Sequence, residues 1–284
     1  MKSLISLMAT VLLVFSTTFA IAQNKTTKET VGWKLGLALY SYNASSLPEE
    51  LAFAKRSGVK SIEGFSFGKA GAELKDSIIM TLSPAGLLKI KALIKKSGLH
   101  MESMYVTGGN TIAEWKRDFE IAKALELKFV TGEPDRSMLN SVDSLAGVYG
   151  IKLALHNHWK GASQYWHPDS TLAALKGHSN FGVCADVRHY PKSGIVPEAA
   201  LKKLAGHIMA LHLADIAEFN NTQLRDAPVG TGVVNFPKIF EELKKQNFHG
   251  TINVERDQQD LPNNLISVQQ IVSYYLKTLE LSQH

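Results

Sequence analysis

The chain has 284 residues, 45% hydrophobic and 20% charged, a balance that suits one large globular domain and excludes a mostly disordered chain. The net charge of +5 is a mild excess without a basic run, which argues against a nucleic-acid partner. A single cysteine, Cys184, excludes an internal disulfide.

Lys2 precedes a run from Leu4 to Ala22 that holds no charged residue and ends Ala20-Ile21-Ala22. A positive start, an apolar middle and an A-x-A end read as a secretory signal peptide over residues 1–22. Cleavage after Ala22 predicts a secreted or periplasmic protein. No later segment approaches the roughly 18 apolar residues of a membrane span, so no membrane partner is expected after cleavage.

Eight short apolar runs follow: Leu35–Tyr40, Ser61–Phe65, His100–Val106, Phe129–Gly132, Lys152–His156, Gly182–Ala185, Ala210–Leu213 and Thr251–Val254. Segments of helical period separate them, among them Leu47–Ser57, Pro84–Ser97, Ile112–Leu127, Met138–Tyr149 and Phe236–Gln246. The last of these puts Phe236, Ile239, Phe240 and Leu243 on one face. An amphipathic segment, Leu265–Leu281, closes the chain. Lys95-Lys96-Ser97-Gly98 and Lys55-Arg56-Ser57-Gly58 place cations in a last helical turn and glycine just beyond it, where each suits the helix end. Eight βα units at this length predict an α/β fold: a closed (β/α)8 TIM barrel, one domain over residues 23–284. An open doubly wound sheet would carry G-x-G-x-x-G at its first turn, and this chain does not.

In such a barrel, chemistry gathers where the strands end. Those ends carry Glu63, Glu133, His156, His158, Asp186, His189, His212, Asp215 and Glu255. Each follows an apolar run, where an idle charge would be costly to bury. Imidazoles and carboxylates on one rigid rim suit a divalent metal such as Mn²⁺, Co²⁺, Zn²⁺ or Mg²⁺. Such an ion can bridge two oxygens of a hydroxy-ketone and stabilise an enediolate. For Glu63 and Asp215 a purely structural, hydrogen-bonded role is an equal alternative. Trp159 and Trp166, in the loop after the fifth strand, offer faces for a sugar ring or for packing on the rim. Cys184, inside the sixth strand, reads as a core residue.

The pattern resembles the xylose isomerase-like barrel superfamily of sugar isomerases and epimerases, which includes D-tagatose 3-epimerase and inosose-processing enzymes. The resemblance rests on Val183-Cys184-Ala185-Asp186-Val187-Arg188-His189, Leu211-His212-Leu213-Ala214-Asp215, Gly230-Thr231-Gly232-Val233-Val234-Asn235-Phe236 and Thr251-Ile252-Asn253-Val254-Glu255, in that order. It implies one divalent metal held by Asp186, His212 and Glu255, with His189 touching substrate. The chain departs at strand five, where His156 stands in place of the family's glutamate. His156 then completes the ligand set, but one carboxylate of a two-carboxylate acid/base pair is missing. His158 or Glu133 is the expected replacement, beside Glu255.

The function this implies is an exported, metal-dependent sugar isomerase or epimerase acting by proton transfer next to a carbonyl. The strand-five departure keeps two alternatives open: a lyase or hydratase on a keto-sugar or 3-keto-glycoside, and a non-catalytic sugar-binding barrel. The related apurinic-site endonucleases need extra histidines at strands two and three. Here those ends read Glu63-Gly64-Phe65 and Ser103-Met104-Tyr105. The expected partner is a small carbohydrate, and oligomeric state is left open.

Overall fold

The computed structural model of the protein describes residues 32–257 and 261–281. The expected signal peptide, residues 1–22, lies outside the described residues. Eight strands close a parallel barrel: β1 (Lys34–Ala38), β2 (Ser61–Phe65), β3 (His100–Tyr105), β4 (Phe129–Gly132), β5 (Lys152–His156), β6 (Phe181–Asp186), β7 (Ile208–Leu213) and β10 (Thr251–Val254). β10 pairs with β1 to complete the ring, Lys34 opposite Thr251. A small antiparallel hairpin, β8 (Asp215–Ile216) with β9 (Asp226–Ala227), stands above the rim after β7.

The helices are α1 (Leu47–Arg56), α2 (Pro84–Ser97), α3 (Ile112–Ala124), α4 (Leu139–Tyr149), α5 (Pro168–Leu175), α6 (His189–Lys192), α7 (Pro197–Lys203), α8 (Phe236–Lys245) and α9 (Leu261–Leu281). Their ends follow local chemistry. Ser83 accepts the Gly86 N–H at the start of α2, and Gly98 closes it in the left-handed conformation at φ +77°. α8 buries Phe236, Ile239, Phe240 and Leu243, the face read from its period, and Trp33 packs against Phe240. Inside the barrel Phe129, Ala154, Cys184 and Ala210 form a buried cluster, so the interior is packed beneath the C-terminal rim.

Several element boundaries shift from the sequence reading, and three differences stand out. The first strand stops at Ala38, and Leu39–Tyr42 forms a tight 3-10 turn that buries Leu39 and Tyr42. That turn brings Tyr40 to the barrel mouth. α3 ends at Ala124 because Glu126 takes a positive φ of 59°. The β8–β9 hairpin was not expected, since its two-residue strands are too short to show a period. No described helix is long and apolar enough to cross a membrane.

Candidate active site

Strand register sets the site. Asp186 on β6 lies opposite His212 on β7, and His212 lies opposite Asn253 on β10, two residues before Glu255. His156, at the tip of β5, completes the arc. Its Nε2 is 3.3 Å from His212 Nδ1 and 3.8 Å from Asp186 Oδ2. Glu255 Oε2 lies 2.9 Å from His212 Nδ1. These separations are close to those between neighbouring ligands of one small cation with bonds of about 2.0–2.2 Å. Among the described residues, three candidate metal-holding groups meet here: His156, Asp186 and His212; Glu63, Cys184 and His212; and Glu133, His156 and His158.

The surroundings fix these donors. Asn157, pointing away from its two histidine neighbours, accepts the Asp186 N–H at 2.9 Å and donates to the Asp186 carbonyl at 3.1 Å, tying the ends of β5 and β6 together. Glu63 Oε2 lies 3.3 Å from His212 Nε2 and accepts from Asn253 at 2.9 Å. Glu63 thus orients a ring while also lining the cavity. Asp215 is structural: its two oxygens accept the N–H groups of Ile216, Gly230, Gly232 and Val234.

A second group stands beside the first. Glu133 Oε1 is 3.2 Å from His156 Nδ1 and makes a very short contact with His158 Nδ1. A carboxylate on Nδ1 holds the imidazole with its proton on that side and leaves Nε2 as the proton acceptor. Burial would raise the Glu133 carboxyl, but the hydrogen bonds from His156 and His158 outweigh it and hold it well below the usual range. Burial lowers His156 and, with the Arg188 charge, pushes His189 far down, so both stay neutral and fit to act as ligand or acceptor. Burial would also lower His212, yet Cys184, Glu255 and Glu63 around it raise it.

The cavity at the barrel mouth has a volume of about 460 Å³. His156, His158, His189, His212, Glu63 and Glu255 face it, with Trp159, Tyr40, Phe67 and Tyr105 as aromatic walls. Trp166 is not brought there: it packs edge-on against His167, under Lys160. The loop turns at Tyr165, whose buried hydroxyl donates to the Pro134 carbonyl, and this sends the next residue away from the mouth. Asp186 stays behind the histidines, fully buried.

Trp159 stands in the wall as expected, whereas Arg188, Tyr40, Phe67 and Tyr105 were missed by reading mainly histidines and carboxylates. Arg188 is buried, with Nη2 3.1 Å from Asp186 Oδ2 and 3.0 Å from Glu255 Oε2. An arginine set directly after an apolar strand among acidic rim residues was the available signal. Tyr105 ends β3 as the charged residues end theirs, and its hydroxyl points at Glu133.

A closed parallel barrel with imidazoles, carboxylates and a cavity at its C-terminal rim has the form of an α/β-barrel enzyme. The chain belongs to the xylose isomerase-like TIM barrel family, whose model matches residues 51–272. It is similar to the inosose dehydratase of Mesomycoplasma hyopneumoniae, 24% identical over 156 residues, which are 50% of this chain and 52% of the relative. The match therefore spans about half the length of that relative. Among solved structures, an uncharacterized protein from Parabacteroides distasonis is 29% identical with a TM-score of 0.68, over 87% of this chain and 99% of that one. The IOLI protein with a bound zinc atom superposes with a TM-score of 0.72 at 19% identity, over 86% of this chain and 97% of its own.

Proposed function

We propose that this chain is an exported, divalent-metal-dependent enzyme that moves a proton at the carbon beside a carbonyl of a small, unphosphorylated carbohydrate, as an isomerase or epimerase. The observation that carries this reading is the Glu133–His158 pair standing beside a cup of metal-type donors on one cavity.

The donors fit a metal. Asp186 Oδ2 and Glu255 Oε2 are buried without a well-formed hydrogen bond, and the cup's carboxylates outnumber its one guanidinium. His156, Asp186, His212 and Glu255 would hold the ion, and His189 would contact the substrate. When bound there, the ion supplies Lewis acidity to the oxygens of a hydroxy-carbonyl group. His158, oriented by Glu133, takes the proton from carbon and returns it. Glu255 is the second proton carrier. Trp159, Tyr40 and Phe67 cover the C–H faces of a ring and exclude water.

One observation favours a second reaction on the same site. An imidazole opposite a carboxylate is an unequal acid/base pair, suited to removing a proton on one side and protonating a departing oxygen on the other. Elimination from a keto-sugar or keto-glycoside uses that asymmetry, and the relative's name, inosose dehydratase, supports it.

The test is a panel of sugars, keto-sugars and glycosides in deuterated water with added Mg²⁺ or Zn²⁺, followed by NMR. Deuterium beside the carbonyl with retained skeleton supports isomerisation or epimerisation, and a new conjugated enone supports elimination. Sugar binding without exchange in metal-loaded protein would leave only a binding barrel. Export is tested separately: the mature chain from the periplasm or medium is expected to begin at Gln23.

A further inference from the structure

The two carboxylates that complete the metal cup already have a cation. Arg188 Nη2 touches Asp186 Oδ2 at 3.1 Å and Glu255 Oε2 at 3.0 Å, the same two oxygens an ion would take. Its Nη1 donates to both oxygens of Asp226, at 3.1 and 3.0 Å. Asp226 sits on β9 and also accepts the Asp257 N–H at 2.7 Å, so the guanidinium is clamped from the hairpin side and is not free to swing out. Yet Asp186 Oδ2 and Glu255 Oε2 lack an aligned hydrogen bond: Arg188 neutralises them without saturating them.

We propose that Arg188 is a resident counter-cation that competes with the divalent ion for Asp186 and Glu255 and thereby sets how tightly the cup holds metal. A buried pair of carboxylates without a counter-charge is costly to fold. Arg188 removes that cost in the metal-free chain, so the barrel folds without waiting for an ion. The same positive charge opposes a dication that binds to the same oxygens, since like charges at such separations repel strongly when buried. Metal affinity is loosened as a result.

This inference rests on the metal site of the proposed function, and the sign of one measurement separates it from a supporting role. If Arg188 merely held the carboxylates in place, its loss would weaken metal binding; as a competitor, its loss tightens it. Zn²⁺ affinity is measured by competition with a chromophoric chelator for the wild type, Arg188→Gln and Arg188→Lys. Arg188→Gln is expected to lower the Zn²⁺ Kd at least 10-fold, and Arg188→Lys, which keeps the charge, by clearly less. Equal or weaker binding by Arg188→Gln, or equal tightening by Arg188→Lys, overturns the proposal. Should Arg188→Gln fail to fold, the wild type decides: Zn²⁺ must speed rotation about the Arg188 Cζ–Nε bond in exchange NMR, and an equally or more tightly held guanidinium overturns it. Zn²⁺ binding by neither wild type nor Arg188→Gln overturns the metal reading and this inference with it. Binding by Arg188→Gln alone supports the inference while removing metal dependence from the proposed function.

Discussion

Asp215 offers a perturbation whose size can be worked from geometry. Its Oδ1 accepts from Ile216 at 2.9 Å and Val234 at 3.1 Å, and its Oδ2 from Gly230 and Gly232, both at 2.9 Å. Four backbone donors converge on one side chain, pinning the 228–234 segment to the end of β7. A Cβ on Gly232 would lie 2.2 Å from the Ile216 carbonyl oxygen, so the approach is as close as glycine allows. Asp215→Asn keeps the shape but turns one oxygen into an NH2 group that faces two N–H donors. Two charge-assisted bonds are lost, each worth roughly 1.5–3 kcal/mol, and two donors are left facing a third. At the lower end this is about 3 kcal/mol, or a fall in Tm of roughly 6–12 °C at 2–4 °C per kcal/mol for a domain of this size. Urea unfolding followed by far-UV circular dichroism measures it. A loss below about 1 kcal/mol would mean that water or a shifted loop satisfies those donors, and the structural role given to Asp215 would be wrong.

Other expectations follow from the same geometry. Glu133→Gln and His158→Asn should each cut turnover by about 10² or more with metal still bound, and the double variant should be little worse than either, since the two act as one unit; near-normal turnover in both single variants would remove the pair from the mechanism. His212→Ala should abolish stoichiometric metal in elemental analysis while the circular dichroism spectrum is kept; unfolding with metal retained would refute its place as a ligand. Burial pushes Asp118 up to about 7, above its unfolded value, so the folded chain holds the extra proton and its stability falls as pH rises from about 4 to about 7. Asp118→Asn should remove that slope and raise stability at pH 8 by on the order of 2 kcal/mol, and an unchanged slope in urea unfolding would place the titration elsewhere.

The barrel was legible because its signals are local and repeated. Lys95-Lys96-Ser97-Gly98 closes α2 as its composition requires, and the face of α8 follows from four residues at helical spacing. The rim was legible for a related reason: a charge at the end of an apolar strand has few places to go, so Asp186, His156 and His212 had to meet at one end of the barrel. What stayed hidden depends on pairings between distant residues. Asp215 carries the same signature as Asp186, yet Gly230 and Gly232 fold back onto it and make it a loop anchor. Trp166 shares the loop of Trp159, but the turn at Tyr165 sends it outward. Arg188 stands within the most specific stretch of the sequence, and its importance comes from Asp226, on a hairpin with no period to read. A single sequence therefore shows which residues are expensive to bury, whereas the fold shows what each is buried against. In this cup that second fact matters most, because the two carboxylates a metal would use are already paired with Arg188.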